Sequence, residues 1–157
     1  MKLAVAGTLP KENESFLEEQ KRKITAACLD QFVVFRPNLS REEKIDFLSN
    51  LTLFCVPVRV PEAFGLYVIE AMAVGVPVVL PDHGAFPEIL EKTGGGITYS
   101  PSEPKSLLHA LGEQLCDPSG CSAMGKQGRA TVHEKFSNEG LARQLVENIL
   151  AHLPTIH

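Results

Sequence analysis

Long apolar runs are missing from this chain, and with them any α-helical membrane span. The opening residues, Met1-Lys2-Leu3-Ala4-Val5-Ala6-Gly7, carry too short an apolar run for a secretory signal and end in a turn residue. Positive charge is not in excess. The 15 Lys and Arg face 19 Asp and Glu, a net charge of −4, so nothing recommends nucleic acid as a partner. No Gly-x-Gly-x-x-Gly fingerprint follows the first strand-like run, Leu3 to Gly7, which disfavours a generic dinucleotide binder. Cys116 and Cys121 have no His or further Cys nearby to complete a zinc site, and His109, His133, His152 and His157 show no metal-ligand pattern. Cys28 and Cys55 sit in apolar segments and read as small core residues. Together the four cysteines read as reduced thiols in a cytoplasmic protein. Internal repeats and low-complexity linkers are absent too.

What is present is an ordinary globular composition, 44% hydrophobic and 22% charged. Its 157 residues are enough for one domain, 1–157, with its own core. Leu3 to Gly7 reads as a buried strand, Pro10 to Leu29 as a helix with Phe16, Leu17, Ile24, Ala27 and Cys28 on or near its apolar face, and Phe32 to Phe35 as a second strand. Ser40-Arg41-Glu42-Glu43 is a capping box that opens a helix to about Asn50, with Ile45, Phe47 and Leu48 inward. Leu51 to Val56 is the third strand and Val76 to Leu80 the fourth. Asp82 to Ala85 forms a loop, Phe86 to Leu90 a short helix and Gly96 to Tyr99 the last strand. Helices fill the rest: one from about Ser102, one restarted at Asp117-Pro118, and one from Ser137 or Asn138 through Leu153. Strands alternating with helices predict an α/β fold on a parallel sheet, with ligands bound outside the carboxyl ends of the strands.

One stretch carries the chemistry: Pro61-Glu62-Ala63-Phe64-Gly65-Leu66, then a helix through Glu70 and Met72, then Gly75 and Pro77, which stop it. The amides of Ala63, Phe64, Gly65 and Leu66 lie at the helix start without intrahelical partners, which makes an anion site suited to phosphate. Gly65, lacking a Cβ, lets a ligand approach the backbone. Glu62 and Glu70 flank the site. Ionised carboxylates only accept hydrogen bonds, so they suit hydroxyl groups and not phosphate. Hydroxyls, then a diphosphate, then hydroxyls again describe a nucleotide sugar. Taken singly, Glu62 and Glu70 would be ordinary surface carboxylates; at this spacing, with Phe-Gly between and Gly-Val-Pro behind, the ligand reading is favoured. His83 is read as a solvated loop histidine, Arg59 as a solvated loop arginine, and Glu88 equally as a helix-start carboxylate or a ligand contact.

Pro61 to Leu66, Glu70 to Ala73 and Gly75 to Val79 resemble the donor-binding signature of group 1 (glycogen synthase-like) retaining glycosyltransferases, whose Glu-x7-Glu hallmark is matched by Glu62 and Glu70. The resemblance implies a Rossmann-like parallel sheet with helices on both faces, the C-terminal, donor-binding half of the two-domain GT-B fold. It implies Glu62 in the catalytic role. Donor contacts are implied at Ala63, Phe64, Gly65, Leu66, Glu70 and Gly84, and at Arg36 and Pro37, where the family usually has Gly and its backbone meets the nucleobase. The implied substrate is a UDP- or GDP-linked sugar, with no separate cofactor and no metal; no Asp-x-Asp motif occurs. An acceptor glycan, lipid or small molecule would bind an N-terminal domain that this chain is expected to lack. The first strand and helix, and the family's cationic Arg and Lys, are likewise expected to be missing, and Lys2 and Lys11 do not replace them. The expectation is therefore a domain inactive as an isolated chain, cytoplasmic, with peripheral membrane association open to the full enzyme and self-association through exposed sheet surface. A noncatalytic nucleotide-sugar-binding or scaffold subunit is the alternative.

Overall fold

The computed structural model describes residues 1–152. Its strands and helices alternate as the sequence predicts, and every strand pairing is parallel, so the fold is α/β. The chain divides into two compact units, Met1–Asp46 and Phe47–His157.

In the first unit, β1 (Leu3–Gly7) pairs in parallel with β2 (Val33–Pro37), Leu3 opposite Val33 and Gly7 opposite Pro37. A 3-10 turn at Lys11–Asn13 leads into α1 (Glu14–Ala26). Three expectations are corrected here. β1 is largely exposed and not buried: Leu3 keeps 59% of its surface and Val5 39%. No residue of α1 is buried, and Phe16 is 63% exposed. Cys28 is exposed and holds a left-handed φ of +56° past the helix end, so it is a turn residue and not a core one. A unit with two strands and one long helix has too few elements to cover both faces of its sheet.

The chain reversal after β2 also differs from expectation. Arg36 and Pro37 belong to the strand, paired with Ala6 and Gly7. The turn falls on Asn38 (φ +56°), whose side-chain oxygen accepts the Leu9 amide at 2.8 Å while its own amide donates to the Gly7 carbonyl at 2.9 Å. Asn tolerates this left-handed conformation and does the work expected of glycine. The capping box forms in both directions. The Ser40 amide donates to Glu43 Oε2 at 2.8 Å and the Glu43 amide to Ser40 Oγ at 3.3 Å, opening α2 (Arg41–Ser49). Leu48 is buried and Phe47 packs beside the core, whereas Ile45 remains 48% exposed.

The second unit is built on a three-stranded sheet in the order β3 (Phe54–Cys55), β4 (Val78–Pro81), β5 (Gly96–Tyr99). β3 is shorter than the predicted Leu51 to Val56, because only Phe54 and Cys55 find partners on β4. β4 is buried along its whole length, as a central strand covered on both faces must be. Val78 and Leu80 face one core with α3 (Leu66–Ala73), α4 (Phe86–Thr93) and Val132 of α6 (Pro118–Lys135). Val79 and Tyr99 face the other, under Ala110 of α5 (Ser106–Cys116). α6 starts where Asp117 accepts the Gly120 amide at 2.9 Å. α7 (Asn138–His152) closes the described chain; the expected end of this helix at Leu153 lies outside the described residues. Among the described residues no helix is long and apolar enough to cross a membrane.

Candidate functional site

Two loops leave the carboxyl ends of adjacent strands of the second unit. One runs from β3 through Glu62 to α3, the other from β4 through Asp82–Ala85 to α4. They are bound to each other. The Ala85 amide donates to the Glu62 carbonyl at 2.9 Å, and His83 Nε2 lies 3.2 Å from the Val58 carbonyl. Gly84 sits between these bonds at φ +61°. A Cβ there would stand 2.4 Å from the Glu62 carbonyl oxygen and 2.6 Å from its nitrogen. Only glycine permits that approach, so Gly84 is explained first by what it packs on in the chain itself.

Gly65 precedes α3 at φ +73°, with its carbonyl accepting the Val68 amide at 2.9 Å as the first helical bond. The space a Cβ would need is taken by Phe86, 2.8 Å away, so the missing side chain admits a core ring and not a ligand. That corrects the reason for this glycine. Phe64 and Leu66 on either side turn outward, 50% and 60% exposed.

The carboxylate of Glu62 is where the structure departs most from expectation. The amides at the start of α3 are not left open. Glu62 folds back on them: the Ala63 amide donates to Oε1 at 3.1 Å, and the Phe64 and Gly65 amides lie near enough to help draw its pKa down. Tyr67, in the first turn of α3, donates its hydroxyl to Oε2 at 2.8 Å. The Tyr67 bond first, and then these amides, hold the Glu62 carboxyl below the usual carboxylate range, against an upward push from desolvation. A lowered carboxyl stabilises the fold above its unfolded value, and that contribution is lost as pH falls through the lowered one.

Glu70 lies on the next turn of α3, half-buried. The structure thus gathers Glu62, Ala63, Phe64, Gly65, Leu66, Glu70 and Gly84 in the second unit, at or next to these two loops. Arg36 and Pro37 belong to the first unit, at the end of β2.

Two residues were missed from sequence. Tyr67 carried no signal beyond its helical position. His83 was expected in solvent, yet the loop contact half-buries it: Nδ1 is enclosed and has no hydrogen-bond partner. Because a carbonyl only accepts, Nε2 donates toward Val58. Among the described residues no three His, Cys, Asp or Glu side chains stand together as a metal site. All four cysteines are free. Cys55, expected in the core, is half-buried, and burial pushes its thiol up to about 11.

Comparison with known proteins gives a consistent picture. The family model for "Glycosyl transferases group 1" matches residues 1–131. The human alpha-1,3/1,6-mannosyltransferase ALG2 is 33% identical over 136 residues, covering 85% of this chain and 32% of that protein. The lipopolysaccharide core biosynthesis mannosyltransferase LpsB of Rhizobium meliloti is 33% identical over 146 residues, 90% of this chain and 40% of LpsB. The crystal structure of Anabaena Alr3699/HepE in complex with UDP superposes with a TM-score of 0.82 at 21% identity, over 96% of this chain and 41% of HepE. The chain therefore spans about a third to two fifths of the length of the curated relatives it matches.

Proposed function

This chain belongs to the group 1 glycosyl transferases, and from that premise we propose that it is the donor-binding domain of a retaining glycosyltransferase that moves a sugar from a nucleotide diphosphate-sugar to an acceptor. The carrying observation is the carboxylate seated on the Ala63–Gly65 amides: the start of α3 is a place where this chain holds an anion. A donor diphosphate has the chemistry to take that seat. The Ala63 to Leu66 amides would then face the charge that grows on the leaving diphosphate as the anomeric C–O bond breaks, which lowers the barrier by preorganised hydrogen bonds.

In this reading Glu62 serves the transferred sugar, accepting from its hydroxyls beside the reacting carbon. Glu70 accepts from the ribose hydroxyls. His83 and Gly84 form the wall behind Glu62. The donor is UDP- or GDP-linked. The mannosyltransferase relatives and the UDP carried by HepE support a nucleotide sugar as the class. The acceptor belongs to a part of the parent enzyme that this chain does not match, and the reading carries a cytoplasmic location.

Calorimetric titration with UDP and GDP tests this. One of the two binds saturably, and Glu70→Ala weakens it by about tenfold or more, the worth of hydrogen bonds to a charged group. Unchanged affinity in Glu70→Ala removes the ribose from that residue. No binding of either nucleotide at millimolar concentration removes the donor reading from this chain.

A further inference from the structure

Tyr67 has no part in the reading above, yet it makes the strongest side-chain contact at the site. Its ring is not a surface ornament of α3. It lies 6.4 Å from the Phe54 ring of β3, tilted by 56°, and packs against the main core of the second unit. A tyrosine has two side-chain torsions, and packing on Phe54 and the core restricts where its hydroxyl can sit. That hydroxyl donates to Glu62 Oε2 at 2.8 Å, while Oε1 takes the Ala63 amide at 3.1 Å. The two carboxylate oxygens are thus divided between a core-anchored donor and the backbone. Burial first, and then Glu62, push the Tyr67 phenol up to about 12, so it remains a donor across the working pH range.

We propose that Tyr67 is a positioning residue that pins the Glu62 carboxylate over the Ala63–Gly65 amides, making Glu62 an internal anion that a nucleoside diphosphate must displace before its own phosphate can use them. Two anions cannot share one set of amides, because like charges at such distances repel strongly. Displacement swings Glu62 off the helix start and turns an acceptor-only group toward hydroxyls, so one residue closes the empty site and serves the filled one. The ligand half of this inference rests on the donor reading; the positioning half does not.

Two measurements separate the halves. The first follows the side-chain carboxyl carbons of glutamate-labelled protein by NMR through an acid titration, with the Glu62 resonance assigned by its loss in Glu62→Gln. In Tyr67→Phe, which keeps the ring, the Glu62 midpoint moves up toward the ordinary carboxylate value. In wild type the Ala63, Phe64 and Gly65 amide shifts titrate with Glu62, and in Glu62→Gln they do not. An unchanged Glu62 midpoint in Tyr67→Phe overturns the positioning role.

The second measurement is UDP affinity. Glu62→Gln and Tyr67→Phe both bind UDP tighter than wild type, by about three- to tenfold, the range a partly screened charge supports. Equal or weaker binding in Glu62→Gln overturns displacement and makes Glu62 at most a direct ligand. If neither UDP nor GDP binds any of the three proteins, the donor reading fails. Inorganic pyrophosphate, followed at the same three amides in Glu62→Gln, then decides displacement: absence of any shift overturns it.

Discussion

Gly84→Ala lowers the stability of the second unit by about 2–4 kcal/mol. The left-handed backbone costs an L-residue about 1–2 kcal/mol, and forcing a methyl into a filled space adds about as much again. The new Cβ would lie 2.4 Å from the Glu62 carbonyl oxygen, and neither party can yield cheaply, because both are backbone. The loop must therefore move, which breaks the 2.9 Å bond from the Ala85 amide and unseats Glu62. Tyrosine fluorescence in urea is a clean probe, because the chain has no Trp and its two tyrosines, Tyr67 and Tyr99, both lie in the second unit. The midpoint should drop by about 1–2 M. Gly112→Ala is the control: it lies inside α5 with nothing within 4 Å of its Cβ position, and it should be neutral or stabilising by about 1 kcal/mol. A Gly84→Ala midpoint equal to that of wild type would show that the two loops are not locked as described.

Phe86→Ala has the largest expected cost, about 3–5 kcal/mol. Phe86 is fully buried and heads the largest buried side chains of the molecule. It opens α4, abuts Gly65 and lies 6.2 Å from the His83 ring, so it connects the core to both loops of the site. Its removal leaves a cavity directly under the helix start that carries the anion seat. A double-mutant cycle reads this coupling. Gly65→Ala should cost less in the Phe86→Ala background than in wild type, since the steric part of its penalty is the Phe86 ring, while the backbone part remains. Additive costs would mean that the ring and the glycine do not constrain each other. The same urea measurement serves for all four proteins.

Much of this was legible in the residues, and the reason is that it is local. Ser40 and Glu43 satisfy each other's amides within one turn. Gly75, at φ +87°, and Pro77 lie just past the end of α3, where they stop it. The bounds of β1 and β5 match their predicted runs, and the Pro61–Leu66 and Gly75–Val79 pattern named the family that the comparison found. Each depends on chemistry within a few positions of the chain, so sequence alone determined the α/β class, the parallel order of elements and the place of the α3 start with its amides.

Tertiary structure decided what occupies that place and why its glycines are there. The β4–α4 loop meets Glu62 across some twenty residues of chain, and that contact explains Gly84, encloses His83 and corrects its solvated reading. Gly65 answers to Phe86 and not to a ligand. Burial, too, was decided by how many elements surround a strand: β4 has neighbours on both sides and is buried, while β1 has only β2 and stays exposed. Periodicity reports which residues share a face, but only the packed fold decides whether another element covers that face. For the same reason, the helix-start amides were readable from sequence, while the Tyr67 hydroxyl that pins Glu62 over them was not, because its position is set by Phe54 and the core.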